Sequence, residues 1–130
     1  MSNSMENKVV LITGGSSGIG EATALLFAKK GAKVAIASRN KKKADKVLNK
    51  LHKIDENAIW IQADVMDSKQ VNSMVKEVIK KFGRLDFAFN NASQCYNGNL
   101  IEDITETNWD KTIQGCLNSV FYCMKSLLSC

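Results

Sequence analysis

Short apolar runs alternate along the chain with stripes of apolar residues at helical spacing. The runs KVVLIT (8–13), KVAIAS (33–38), AIWIQA (58–63) and LDFAFN (85–90) have the length and composition of buried strands. Between them the spacing predicts helices. The first covers about 18–30, with Gly31 just past its end as a left-handed cap. The second carries Ala44, Val47, Leu48, Leu51 and Ile54 as its apolar stripe. The third, with Ser68 as its N-cap, places Val71, Met74, Val75, Val78, Ile79 and Phe82 at steps of three and four before a capping Gly83. A longer loop follows the fourth run, and a last helix starts near Thr105 and continues to Cys130. Strands alternating with helices at this spacing predict right-handed crossovers and a parallel sheet covered on both faces. The expected fold is therefore α/β: a doubly wound sheet of the Rossmann type, a three-layer sandwich of about four strands, with residues 1–130 as one domain.

The composition is that of a soluble globular chain, 45% hydrophobic and 24% charged in 130 residues. The opening MSNSMENK lacks the apolar core of a signal peptide, and no apolar stretch reaches the length of a membrane helix. The expected location is cytoplasmic. The net charge of +5 is concentrated in RNKKKADKVLNKLHK, residues 39–53. That run reads either as a nucleic-acid patch or as the solvated face of an amphipathic helix. The absence of interleaved aromatics and the apolar stripe through it favour the second, so no nucleic-acid partner is expected. His52 reads as a surface residue of the same helix.

Cys95, Cys116, Cys123 and Cys130 form no Cys-x-x-Cys pair. The last three recur every seven residues, which on a helix puts them on one face about 10 Å apart, too far for one metal ion or a disulfide. They are expected to be buried thiols, and no metal site is expected.

The turn TGGSSGIG, Thr13 to Gly20, lies between the first strand and the first helix. Glycines there allow a tight turn and close approach of the backbone to a ligand, and the next helix directs free N–H groups and its positive dipole end at the same point. A pyrophosphate suits that geometry; a tight turn without a ligand is the alternative. At the end of the second strand the chain reads Ala37-Ser38-Arg39-Asn40. A carboxylate at this place selects the 2′-hydroxyl of NAD(H). Here Arg39 offers a fork of donors for a 2′-phosphate, and Lys41, Lys42 and Lys43 add positive potential. The expectation is NADP(H) over NAD(H), against the alternative of a surface arginine at a helix start.

With these residues in place the chain resembles the short-chain dehydrogenase/reductase family, from Lys8 to about Lys125, over the family's N-terminal half. TGGSSGIG is similar to its Thr-Gly-x-x-x-Gly-x-Gly turn, ADV (63–65) to the Asp-Val after its third strand, NNAS (90–93) to its Asn-Asn-Ala-Gly, and WDKTI (109–113) to the start of its long interface helix. The resemblance implies that Gly14, Ser16, Ser17, Gly18, Ile19 and Gly20 cradle phosphates and ribose. It implies further that Asp64 and Val65 face adenine, and that Asn91 and Ala92 lie against the nicotinamide-side ribose. Ser38 and Arg39 complete the expected set. Asp64 could instead cap the turn after the third strand, and Asn90 reads equally well as a strand-end residue.

Two positions depart from the family pattern. Ser93 stands where the family has glycine. Where it reads Asn-Leu-x-Gly-Val-Phe, this chain has Cys116-Leu117-Asn118-Ser119-Val120-Phe121. Cys116 thus occupies the place of the proton-relay asparagine. Dienoyl-CoA reductase relatives carry a shifted Leu-Asn-Gly pattern, but two residues along a regular helix turn a side chain by about 200°. Asn118 can take the role only if the local backbone or the substrate geometry differs.

The family's chemistry is hydride transfer between nicotinamide and a carbonyl or alcohol carbon, with a proton from the tyrosine of a Tyr-x-x-x-Lys pair and a serine that orients the substrate. These lie beyond position 130 in the family. Tyr96 and Tyr122 have no lysine four residues on. The resemblance therefore implies a cofactor-binding part without catalytic residues, cut by a frameshift, premature stop or trimming, and without turnover of its own. A non-catalytic nucleotide-binding or interaction module and an inactive remnant are the alternatives. Self-association is expected through the last helix or through an open edge on the fourth strand.

Overall fold

The apolar runs do form strands, as seen in a computed structural model that describes residues 4–94 and 100–130. They are β1 (Val9–Thr13), β2 (Lys33–Ser38), β3 (Ile59–Gln62) and β4 (Phe87–Asn90). All pair in parallel, in the order β3-β2-β1-β4. The chain winds from β1 outward through β2 to β3, then returns to the other side of β1 for β4. The direction of winding therefore reverses between β1 and β4, and ligands bind at such a point.

Alternation along the strands divides the core into two layers. Val9 and Leu11 of β1, with Ala35, Ala37 and Ile61, pack under α3 (Ser68–Phe82) through Val71, Met74, Val75 and Val78. Val10 and Ile12, with Val34 and Ile36, face α1 (Gly18–Lys29) through Ala24 and Ala28 and α2 (Lys41–His52) through Val47 and Leu51. Every residue of β1 is buried, as a central strand covered on both faces requires. In β4, Phe87 and Ala88 are exposed, so the expected open edge is present among the described residues.

The helix ends follow local chemistry. Gly31 and Gly83 follow α1 and α3 with φ of 91° and 77°. The N-cap of α3 is Asp67 rather than the expected Ser68: its carboxylate accepts from the N–H groups of Lys69 and Gln70. The Gln70 side chain and the Lys69 N–H hold the Asp67 carboxyl below the usual carboxylate range. In α2 the apolar stripe is buried at Ala44, Val47 and Leu51, but Ile54 lies past the helix and is exposed. The lysines of α2 are on its outer face, where Lys41 pairs with Asp45 and Lys50 with Glu21 of α1. His52, also exposed, contacts the carbonyl of Ala58 through Nε2.

The last helix is not continuous. It consists of α4 (Glu106–Ile113), capped by the Thr105 hydroxyl, and α5 (Ser119–Leu128). A π turn joins them over Gln114–Asn118, where the N–H of Ser119 donates to the carbonyl of Gln114, five residues back. The local backbone at Asn118 thus departs from a regular helix, one of the two conditions under which it could replace an earlier residue. The three cysteines do not share one buried face. Cys123 is buried against the β1–α3 layer, Cys116 is half-buried and Cys130 is exposed. Burial pushes the Cys123 thiol up to about 11. Cys95 lies outside the described residues.

Candidate functional site

The C-terminal ends of the four strands open into a cleft of about 490 Å³. Gly14, Ser16, Ser17, Gly18 and Ile19 line it from the β1–α1 turn, and Ser38 and Arg39 from the end of β2. Asp64 and Val65 line it after β3, and Asn91 and Ala92 after β4. Segments far apart in sequence therefore meet where the winding reverses. Gly20 is the expected site residue that does not line the cleft. It supports the turn from beneath: a Cβ there would lie 2.1 Å from the Gly14 carbonyl oxygen. Gly18 has φ of 54° and no atom within 4 Å of where its Cβ would be, so it bares its backbone to the cleft.

The N-terminus of α1 differs from those of α2, α3 and α4. Asn40, Asp67 and Thr105 each cap their helices with a side-chain oxygen. Ser17, at the start of α1, makes no such bond. The first-turn N–H groups of a helix have no partner within it. Here they stand beside an open cleft, an arrangement suited to an anion.

The turn is fastened to β4 through Thr13, which is 2% exposed. Its hydroxyl accepts from the N–H groups of Asn91 and Ala92 at 3.1 Å each and donates to the carbonyl of Phe89 at 3.4 Å. The Asn91 side chain donates back to the Gly14 carbonyl at 3.4 Å. Asp64 shows the capping contact that was its alternative reading: Oδ1 accepts from the Met66 N–H at 2.9 Å while the residue lines the cleft. The Ser38 hydroxyl accepts from Nε1 of Trp60 at 3.0 Å and keeps its own proton for donation.

Lys43, expected to add positive potential, lines the cleft, whereas Asn40, Met66, Gln94 and Gly115 are lining residues that the sequence did not single out. A buried threonine ending an apolar strand could have singled out Thr13. Gln94 and Gly115 belong to no motif, and only the fold brings them to the cleft. Arg39 Nη1 donates to Gln94 Oε1 at 3.1 Å, across the mouth of the cleft. Cys116 does not line the cleft, and its Sγ donates to the Gln94 carbonyl at 3.5 Å. Asn118 is half-buried and does not line the cleft. Tyr122 lies in a separate groove between α3 and α5, with Lys76 and Lys125. Tyr96 lies outside the described residues. Among the described residues no group of acidic, histidine or cysteine side chains could hold a metal ion, and no helix is long and apolar enough to cross a membrane.

A doubly wound parallel sheet with a glycine turn and a helix start without a side-chain cap at its switch point is a Rossmann-type α/β architecture, in which ligands bind at that point. The family profile described as short chain dehydrogenase matches residues 8–130, and the chain belongs to that family. It is 37% identical over 124 residues to a cyclohexanol dehydrogenase of Acinetobacter sp. (strain SE19), covering 95% of this chain and 49% of that protein. The crystal structure of a short chain dehydrogenase from Bacillus anthracis superposes with a TM-score of 0.89 at 35% identity, over 95% of this chain and 51% of the other. A 3-ketoacyl-(acyl-carrier-protein) reductase from Brucella melitensis, complexed with NADH, superposes with a TM-score of 0.90 at 33% identity, over 97% and 50%. The chain spans about half the length of the curated relatives it matches.

The residues present fit a nicotinamide dinucleotide. The close packing at Gly20, the open face of Gly18 and the free N–H groups of α1 suit a pyrophosphate. Ser38, Arg39, Asp64 and Val65 line the side of the cleft away from β4.

Proposed function

We propose that this cleft binds NADP(H) in preference to NAD(H), and that the chain is the cofactor-binding part of an oxidoreductase. The bound cofactor would supply or accept a hydride at a carbonyl, alcohol or enoyl carbon of the substrate. Gly14 and Ser16 to Ile19 hold the pyrophosphate and ribose in this reading. Asp64 and Val65 face the adenine, and Asn91 and Ala92 flank the nicotinamide-side ribose. Gly20 keeps the turn in shape.

One observation carries the cofactor preference. Arg39 lines the cleft at the end of β2, with Lys43 nearby, where an NAD(H) site has a carboxylate. A charge-assisted contact to a 2′-phosphate contributes about 1.5–3 kcal/mol, roughly a ten- to hundredfold difference in affinity. Calorimetric titration with NADPH and NADH tests this. NADPH is expected to bind at least tenfold tighter, and Arg39→Glu to remove the advantage. Equal affinities, or an Arg39→Glu variant with unchanged NADPH affinity, contradict it.

The 130 residues are not expected to turn over substrate alone. Tyr122 is the tyrosine among the described residues, and it lies in the α3–α5 groove rather than beside the cleft. Binding without turnover over a panel of ketones would support this; NADPH oxidation would refute it. Leu117, Phe121, Met124 and Leu128 are at least half exposed along the last helix. With the open β4 edge they support pairing with a second copy. Sedimentation as a monomer at micromolar concentration would refute that pairing.

A further inference from the structure

We infer that Gln94 sets the cofactor preference by positioning Arg39. The inference rests on the reading that Arg39 meets a 2′-phosphate. Arg39 is exposed at the end of β2, and a free arginine there would sample many rotamers, a freedom lost when a ligand orders it. It is not free: Nη1 donates to Gln94 Oε1 at 3.1 Å, between residues 55 apart in sequence.

Gln94 is itself held from the opposite side of the cleft. Its backbone lies against Gly115 in the π turn so closely that a Cβ at 115 would come 2.8 Å from the Gln94 carbonyl oxygen. The same carbonyl accepts from Cys116 Sγ. The π turn thus supplies a small residue and a donor that fix the Gln94 backbone, and the Gln94 side chain then fixes the guanidinium.

The acceptor chemistry matters as much as the contact. A glutamine oxygen takes one of the five guanidinium N–H donors and leaves four for a ligand, without neutralising the charge. A glutamate in its place would form a bidentate ion pair and compete with the phosphate for the same fork. Arg39 is therefore pre-ordered and still fully cationic toward the cleft.

Affinities of NADPH and NADH for the 130-residue chain, with Gln94→Ala, Gln94→Glu, Arg39→Ala and the double variant Arg39→Ala/Gln94→Glu, test this without any turnover. Gln94→Ala is expected to weaken NADPH about threefold or more and leave NADH within twofold. Gln94→Glu is expected to reduce the NADPH/NADH preference at least tenfold. Once Arg39 is alanine, the Gln94→Glu change is expected to alter the preference by no more than twofold. If Arg39→Ala abolishes the preference and both Gln94 variants keep it, the inference is overturned and the reading of Arg39 stands. If Arg39→Ala leaves the preference intact, the reading of Arg39 and this inference both fail.

Discussion

Replacing Thr13 by valine removes one hydroxyl from a position where β1, β4 and the site converge. Valine keeps the shape and burial of the side chain. The change leaves the N–H groups of Asn91 and Ala92 and the carbonyl of Phe89 without the hydroxyl partner they have in the native chain. An unpaired buried polar group costs about 1–3 kcal/mol. The Asn91 N–H keeps its bond to the Phe89 carbonyl at 3.0 Å, so the Ala92 N–H is the group left without its partner, and it is part-buried beside the cleft. The expected loss is therefore roughly 1–3 kcal/mol. Thr13→Ser keeps all three bonds and loses one buried methyl, worth about 1 kcal/mol. Urea unfolding followed by circular dichroism separates the two variants. At the slope of about 1–3 kcal/mol/M usual for a small domain, valine should lower the midpoint by about 1 M and serine by about half a molar or less. Dinucleotide affinity should fall with valine and survive with serine, because Asn91 and the Gly14 carbonyl are tied together through this node. A valine variant no less stable than the serine variant would refute the reasoning.

Three further outcomes follow from the same geometry. Gly20→Ala must displace the Gly14 carbonyl, so dinucleotide affinity should fall at least tenfold and stability by about 1–3 kcal/mol. Gly18→Ala, measured in the same titration, meets no protein atom but must hold a φ of 54° and places a methyl on the cleft side, so stability should fall by about 1–2 kcal/mol and dinucleotide affinity should fall as well. The Cys123 thiol, pushed up to about 11 by burial from an ordinary 9.0, keeps its proton more tightly folded than unfolded. Its contribution is therefore complete below about pH 9 and is lost as pH rises toward 11, by roughly 2–3 kcal/mol; Cys123→Ala should flatten that part of the stability curve. The Arg84 guanidinium, then the Val9 N–H, holds the Asp86 carboxyl below its ordinary 3.8. Its contribution is present above that value and is lost as pH falls below it, so Asp86→Asn should weaken this part of the acid dependence in a pH-unfolding series.

The sequence carried most of the fold because its signals were local. Four apolar runs, a glycine turn and a strong stripe from Val71 to Phe82 specify strands and helices without reference to distant residues. Errors arose where two local chemistries compete or where the backbone leaves the regular pattern. Asp67 takes the N-cap from Ser68 because a carboxylate can accept from two N–H groups at once. The last helix reads as continuous in sequence, and nothing in Gln114–Asn118 announces a π turn. The seven-residue spacing of cysteines suggested one buried face, but only Cys123 is buried.

The site divides the same way. The expected site residues other than Gly20 line the cleft, and Gly20 packs beneath the turn against Gly14. Gln94 and Thr13 act through partners 55 and about 77 residues away. Such contacts exist only once β4 lies beside β1, so no window along the chain displays them.

The most direct measurement is a two-dimensional amide spectrum of the folded chain recorded during titration with NADPH. Saturable shifts are expected at Gly14 to Ile19, Ser38, Arg39, Asp64, Val65, Asn91 and Ala92, with the α3–α5 groove unchanged. Shifts centred on Tyr122 and Lys125, or a folded spectrum that does not respond, would contradict it.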